Sequence, residues 1–127
     1  MTAEYHPIPG NNTLPFSEAV RVGDMLYLSG QMGVTMGDGA IAVVPGGIEA
    51  ETRKAIENMK AVLERHGSSL DQVVKVTVML ADMADWPGFN AIYVPYFKKH
   101  LPARSAFGAN GLALGGRVEL ECIATVA

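Results

Sequence analysis

Two polar residues in the C-terminal part of the chain have the side chains that proton-transfer chemistry on a carboxylate substrate needs. Arg104 lies in the Pro-Ala-Arg-Ser segment at 102–105, and Glu119 lies in the segment 117–124. A guanidinium offers two parallel N–H donors to a carboxylate, and a glutamate can move a proton. An arginine on an edge segment and a glutamate on a later strand can converge in one sheet, so we predict a shared site.

The strands that would carry these residues are predicted from apolar and β-branched alternation. They cover residues 16–22, 25–29, 32–36, 41–44, 73–80, 103–107 and 118–126. Residues 1–15 are rich in Pro, Gly and Asn, which predicts an extended lead-in with turns. Further turns are predicted at Gly23-Asp24, which makes the first two strands a hairpin, and at Asp38-Gly39.

Two helices are predicted between these strands. The first spans about residues 48–66, with an apolar face at helical spacing and Gly67 as its stop. The second is expected to start with Asp85 as a candidate cap and to run to about His100. Pro95 lacks a backbone donor, so a kink is expected there.

The predicted element order is β-β-(β)-α-β-α-β-β, and no repeat or linker divides it, which favours one domain over 1–127. This order indicates an α+β fold with both helices on one face of a sheet. The other face, if apolar, needs a cover, and the same surface of another subunit is the simplest one. The chain is therefore a candidate homo-oligomer.

Composition excludes several classes of protein. The chain has 127 residues, 18% of them charged, and a net charge of −3, without a basic run that could follow nucleic acid phosphates. A single cysteine excludes an intrachain disulfide. The N-terminus lacks a signal peptide pattern, and no apolar run approaches the ~20 residues of a membrane span. We expect a soluble, cytoplasmic protein without nucleic acid or membrane partners.

Common catalytic and cofactor motifs are absent from the sequence. No phosphate-binding glycine loop opens a helix, and no G-x-S-x-G nucleophile motif occurs. His6, His66 and His100 lack metal-ligand spacing, and the latter two are predicted to close helices. Cys122 occupies an alternating strand position, which favours a buried role over the alternative of a catalytic thiol. We expect no metal and no cofactor.

The residues that remain belong to a set of motifs that closely resembles the RidA/YjgF family of enamine/imine deaminases. The resemblance covers nearly the whole chain, and Pro-Ala-Arg-Ser together with the terminal Glu-x-Glu-x-Ile-Ala strand is its most specific part. The matching segments are 15–16, 22–24, 28–31, 58–60, 74–78, 89–93, 96–97, 102–105 and 118–124.

The resemblance implies a fold like that of trimeric chorismate mutases. This fold has a mixed β-sheet with two helices packed on one face, and three copies form a central barrel with sites in the clefts between subunits. It also implies that Arg104 grips the substrate carboxylate and that Glu119 positions and activates water. Ser29, Gly30 and Asn90 would shape the pocket.

Two positions depart from the family pattern. Phe16, which would close the site beside the substrate, stands where the family archetype has tyrosine, and Ala106 stands where it has cysteine. The cysteine acts mainly through its backbone, which Ala106 also provides. Neither change removes the implied chemistry, because a protonated imine is already electrophilic and needs a carboxylate clamp and an activated water rather than a cofactor.

Three functions are consistent with these residues. The first is hydrolysis of small 2-imino or 2-enamino acids such as 2-aminoacrylate. The second is a pathway-specific enamine hydrolase acting on a larger substrate such as 2-aminomuconate. The third is a trimeric metabolite-binding or regulatory module, against which the retained Arg104 argues. Glu121 shares a strand face with Glu119 and could raise its pKa, but the favoured interpretation is that Glu121 points to solvent or pairs with Arg117 or with a neighbouring chain.

Overall fold

The computed structural model describes residues 2–10, 13–37 and 39–126. Its two α-helices are α1 (Gly47–Arg65) and α2 (Trp86–Tyr93). Its nine strands are β1 (Ala3–His6), β2 (Ala19–Val22), β3 (Met25–Leu28), β4 (Gln31–Met32), β5 (Val34–Gly37), β6 (Ala40–Val43), β7 (Val73–Leu80), β8 (Ala103–Gly108) and β9 (Val118–Thr125). None of the helices in the described ranges is long and apolar enough to cross a membrane.

The main sheet has the strand order β1-β2-β3-β9-β7-β8, and β4 continues beside β9 beyond the end of β3. Only the β7–β8 pair is parallel in this sheet, because α2 lies in the connection between these two strands. The remaining pairs are antiparallel, so the sheet is mixed as the family resemblance implies. Strands β5 and β6 form a separate hairpin.

The core lies between one face of the sheet and the two helices. Strand β9 shows the period-two pattern most clearly, since alternate residues are buried. These residues are Val118, Leu120, Cys122 and Ala124. Burial raises the pKa of the Cys122 thiol to about 12, so the thiol stays protonated and acts as a small apolar side chain.

The opposite face of the sheet carries apolar side chains that no helix covers. Tyr27 pairs with Ile123, and Met79 pairs with Phe107, so these residues lie on the face away from the core. Tyr27 is 43% exposed and Phe107 is 48% exposed. An apolar sheet surface of this kind is typical of a face that another subunit covers.

The second helix ends earlier than the sequence predicts. Helix α2 stops at Tyr93 and passes into a short 3-10 turn, Val94–Tyr96, with Pro95 near its start. Pro95 has no N–H to bond the carbonyl four residues earlier, so the α-helical ladder stops there rather than kinking and continuing to His100. Asp85 occupies the N-cap position of α2 as predicted, but its side chain makes no capping hydrogen bond. The preceding 3-10 turn, Met83–Asp85, is capped by Asp82, whose side chain accepts from the N–H of Ala84 at 2.9 Å.

The N-terminal elements differ from the prediction as well. Strand β1 lies within the predicted lead-in, where its mixed Ala-Glu-Tyr-His sequence gives no strand signal, and the predicted strand at 16–22 starts only at Ala19. The predicted strand at 32–36 divides at Gly33, which separates β4 from β5, and the backbone of Glu51 in α1 leaves no room for a side chain at this position. Asp38 of the predicted turn lies outside the described residues.

A buried carboxylate ties the N-terminal strands to the end of α1. Glu18 is 5% exposed and accepts a hydrogen bond from Nε of Arg65 at 3.3 Å. Nε2 of His66, the residue that closes α1, lies 2.8 Å from Glu18 Oε2. Burial alone would raise the pKa of Glu18, but the bonds from Arg65 and His66 outweigh it and hold that pKa below its usual value of 4.5.

Replacing this carboxylate should weaken the fold in a pH-dependent way. We expect Glu18→Gln to lower the free energy of unfolding by about 1–2 kcal/mol at neutral pH, a modest value because half of the Arg65 side chain stays in solvent. The folded-state pKa is depressed, so this stability is present above pH 4.5 and disappears as the pH falls through the folded-state pKa. Urea unfolding across the pH range measures it.

Glu64→Gln is the matched control, because Glu64 is an exposed carboxylate on α1, next to Arg65. It should change the stability little at any pH. An equal loss in both variants, or a Glu18→Gln loss that persists in acid, would contradict the role of the Glu18 carboxylate.

Candidate functional site

Four of the predicted site residues line one cleft of about 850 Å³. They are Phe16, Ser29, Gly30 and Glu119. The walls of this cleft come from α1, from the β5–β6 hairpin and from the segment before β2. The volume and the concave shape of the cleft are in the range of small-molecule sites, so a ligand of metabolite size can enter it.

Glu119 and Gly30 lie against each other at the point where the strand beside β9 changes from β3 to β4. Met32 of β4 pairs with Glu119, and Gly30 lies just before this strand. A Cβ atom added at Gly30 would overlap the Glu119 carboxylate. The Glu119 carboxylate therefore lies directly against the backbone of Gly30 at the cleft wall, and any side chain at position 30 would displace it.

Ser29 secures the segment that carries Phe16. Its hydroxyl donates to the carbonyl of Ser17 at 2.5 Å, and its backbone N–H donates to the carbonyl of Glu18 at 3.1 Å. Phe16 lies at the edge of the cleft with half of its surface exposed. The Ser29 hydroxyl thus shapes the cleft by anchoring its wall, and Phe16 presents a ring without a polar group.

Arg104 lies in a different environment, against α2. Its Nη1 donates to Oδ1 of Asn90 at 2.9 Å, so the structure joins two predicted site residues. Its guanidinium carbon also lies 4.8 Å from the ring centre of Tyr93, 5.1 Å from that of Trp86 and 5.8 Å from that of Phe89. Cation–π contacts with these rings fix the orientation of the guanidinium before any ligand binds.

Within one chain, Arg104 and Glu119 lie on opposite faces of the sheet. Arg104 pairs with Val76, a fully buried residue of the core face, whereas Glu119 pairs with Met79. Val76 and Met79 are three positions apart on β7, so their side chains point to opposite sides. The expectation that the arginine and the glutamate converge within one sheet is therefore not met by a single chain.

Ala106 shares the face of Arg104. It pairs with Val78 on β7 and packs, half-buried, against the core. Of the predicted site residues, Arg104, Asn90 and Ala106 thus form one group, and those that line the cleft form a second group.

The Glu119 carboxyl has an altered acidity. Burial raises its pKa, and the charge of nearby Glu121 raises it further. Glu121 is exposed, as the favoured interpretation predicted, but it does not pair with Arg117, which bonds Asp85 at 3.1 Å instead. Its charge nevertheless acts on Glu119, which is the interpretation that was disfavoured from the sequence. A carboxylate with a raised pKa is a stronger base, which suits removal of a proton from water.

Several residues of the site were not predicted from the sequence. Trp86, Phe89 and Tyr93 recur at helical spacing, and that spacing could have indicated an aromatic surface for Arg104. No pattern in the sequence indicated that the β5–β6 hairpin would form a wall of the cleft. In the described part of the chain, no three His, Cys, Asp or Glu residues lie close enough together to hold a metal ion.

Comparison with known proteins gives consistent matches. The family model described as Endoribonuclease L-PSP matches residues 10–126. A mouse 2-iminobutanoate/2-iminopropanoate deaminase is 44% identical over 110 residues, which are 87% of this chain and 80% of the mouse protein. The crystal structure of yeast YEO7 has a TM-score of 0.87 at 37% identity and covers 99% of this chain and 100% of its own. RidA from an Antarctic Psychrobacter has a TM-score of 0.82 at 34% identity, with coverages of 96% and 94%.

The electrostatic coupling of the two glutamates can be tested directly. We expect Glu121→Gln to lower the pKa of Glu119, because the charge of Glu121 no longer raises that pKa and only the effect of burial remains. A carbon-detected NMR titration of the Glu119 carboxyl measures this change. Glu49→Gln, at an exposed site in the first turn of α1, should leave the titration unchanged. An unchanged pKa in Glu121→Gln would show that burial alone sets it.

Proposed function

The chain belongs to the family described as Endoribonuclease L-PSP, the RidA/YjgF family predicted from its motifs, and on that premise we propose that it hydrolyses 2-imino and 2-enamino acids to 2-oxo acids and ammonia. The observation that carries this proposal is the orientation of Arg104. Asn90 and three aromatic rings hold its guanidinium in place, and this arrangement suits a carboxylate ligand.

The proposed site is completed by a second copy of the chain. Since Arg104 and Glu119 lie on opposite faces of one sheet, a site that contains both needs Arg104 from one subunit and Glu119 from its neighbour. The apolar face around Tyr27 and Phe107 offers the surface for this contact. A homotrimer with three clefts between subunits, the assembly that the family resemblance implies, satisfies both requirements.

In the proposed reaction, Arg104 binds the carboxylate and the iminium carbon lies near Glu119. Glu119 accepts a proton as water attacks that carbon, and a C–O bond forms while the C=N π bond becomes a nitrogen lone pair. The amino group of this tetrahedral intermediate then takes up a proton, the C–N bond breaks, ammonia leaves, and the hydroxyl proton is lost to give the 2-oxo acid. An enamine substrate first becomes the iminium ion by protonation at its β-carbon.

Binding and proton transfer divide between the two residues in this mechanism. Positioned acid–base assistance of this kind contributes about 10²–10⁴-fold to the rate. Alignment of the water and the imine adds to it. The protonated imine is itself the electrophile, so the proposal requires no cofactor.

Replacing the guanidinium by an ammonium should abolish most of the activity although the charge is kept. We expect Arg104→Lys to lose roughly tenfold to over a hundredfold in kcat/KM on free imino acids, because a hydrogen bond to a charged group contributes about 1.5–3 kcal/mol. Ammonia release from imines that an amino acid oxidase generates measures it. Esters of the same imino acids should be poor substrates of the wild type.

If Arg104→Lys is fully active and imines without a carboxylate are hydrolysed equally fast, Arg104 has a structural role. The binding-module hypothesis would then be favoured over the enzyme.

Subunits with complementary defects should restore activity when they assemble together. We expect Arg104→Ala and Glu119→Gln to be nearly inactive alone, since each breaks every site. After random assembly in equal amounts, about a quarter of the shared sites combine an intact Arg104 with an intact Glu119 from the neighbour. Turnover by the mixed oligomer, with light scattering to establish a trimer, measures this. Mixed trimers without activity, or a monomeric wild type, would contradict the shared site.

A further inference from the structure

We propose that the cleft beside Glu119 binds the side chain of the substrate, and that the preferred substrates are 2-imino acids with large apolar side chains, such as the imine of leucine. This inference rests on the proposed deaminase function and names its substrate class. Three observations support it: the position of exposed apolar residues, the backbone of Leu114, and the continuity of the cleft with Glu119.

A group of exposed apolar side chains lies around this cleft. Large hydrophobic residues that face solvent in a folded chain often mark a binding surface when they cluster. Five of them line this one cleft, and their exposed fractions are 37% for Leu14, 50% for Phe16, 62% for Met36, 36% for Ile41 and 59% for Leu114. They come from separate segments of the chain, so the fold itself collects them.

Leu114 reaches the cleft through an unusual backbone conformation. It has φ 60° and ψ 17°, and among the described residues it alone combines a side chain with a positive φ. The left-handed region is disfavoured for a branched side chain, so the loop holds Leu114 in a strained conformation. Gly115 follows it, also with a positive φ of 68°. The strained conformation places an exposed leucine on the wall of the cleft.

The apolar wall and the proposed water-activating group belong to the same cavity. Glu119, Ser29 and Gly30 line the cleft together with Met36 and Ile41. A substrate whose imine carbon lies at Glu119 can therefore extend its side chain along apolar surface. The cleft of one subunit has a volume of about 850 Å³ before a neighbour adds Arg104, and a larger aliphatic chain buries more of its apolar wall than a methyl or ethyl group does.

An acidic side chain is the rival occupant. Lys54 and Arg65 also line the cleft, but Arg65 is neutralised by Glu18. Lys54 has no ion pair with any described residue and could bind a second carboxylate. The apolar residues outnumber this single cation along the walls, and for that reason we favour an aliphatic side chain.

The test compares imines of different side chains and a variant that fills the cleft. Ala61 is an exposed residue of α1 on the cleft floor, so Ala61→Phe adds a ring there without disturbing the core. Wild type should hydrolyse the leucine imine with at least about tenfold higher kcat/KM than the alanine imine. Ala61→Phe should remove that preference, because the added ring occupies apolar space in the cleft and lowers kcat/KM for the leucine imine more than for the alanine imine.

Ala91→Phe is the matched control. It adds the same ring to an exposed alanine on α2 that does not line the cleft, so the preference for the leucine imine should persist. An alanine imine hydrolysed as fast as the leucine imine by wild type would overturn the inference while the deaminase function stands. A preference for the glutamate imine that Lys54→Met abolishes would also overturn it, in favour of an acidic side chain.

Binding of the 2-oxo acid products separates the two proposals when no imine is hydrolysed. If the wild type releases no ammonia from any imine, the deaminase function is refuted. Calorimetry with 4-methyl-2-oxopentanoate and pyruvate then still tests the cleft, since neither compound needs to react. Tighter binding of the larger compound, lost in Ala61→Phe, supports the apolar subsite, and equal binding of the two overturns it.

Discussion

The period-two alternation of strand β9 is the constraint on which the rest of the structure depends. One set of its side chains, from Val118 to Ala124, enters the core and binds the sheet to the helices. The other set, which includes Glu119, must then point away from that core. A single strand thus fixes the hydrophobic layer and excludes its own glutamate from the face on which Arg104 lies. The division of the proposed site between subunits follows from this alternation.

Each half of the proposed site is prepared by ordinary structural contacts. Asn90 and the rings on α2 orient Arg104, and the turn at Gly30 lets the Glu119 carboxylate approach the backbone. Because these contacts form within one chain, Arg104 and Glu119 are already oriented before two subunits assemble. Less freedom is then lost when a substrate binds, which is the usual benefit of preorganisation.

Local patterns in the sequence predicted much of the fold and family correctly. Helix α1 and strand β7 carry strong periodic signals, and the RidA/YjgF resemblance is confirmed. The end of α2 was missed because helical periodicity continued past Pro95, whose lost hydrogen bond decided the outcome. The placement of Arg104 and Glu119 on opposite faces was also missed, since it depends on the pairing register of three strands, which the spacing of two residues does not specify.

Two apolar surfaces of this chain face solvent, and their shapes indicate different partners. The sheet face with Tyr27 and Phe107 is broad, and a second sheet surface can pack against it over its whole area. The cleft with Met36 and Leu114 is concave, so a flat sheet would leave most of its volume empty and gain few contacts. A group small enough to enter the cleft would desolvate its walls, and in the proposed mechanism Glu119 would activate water beside that group.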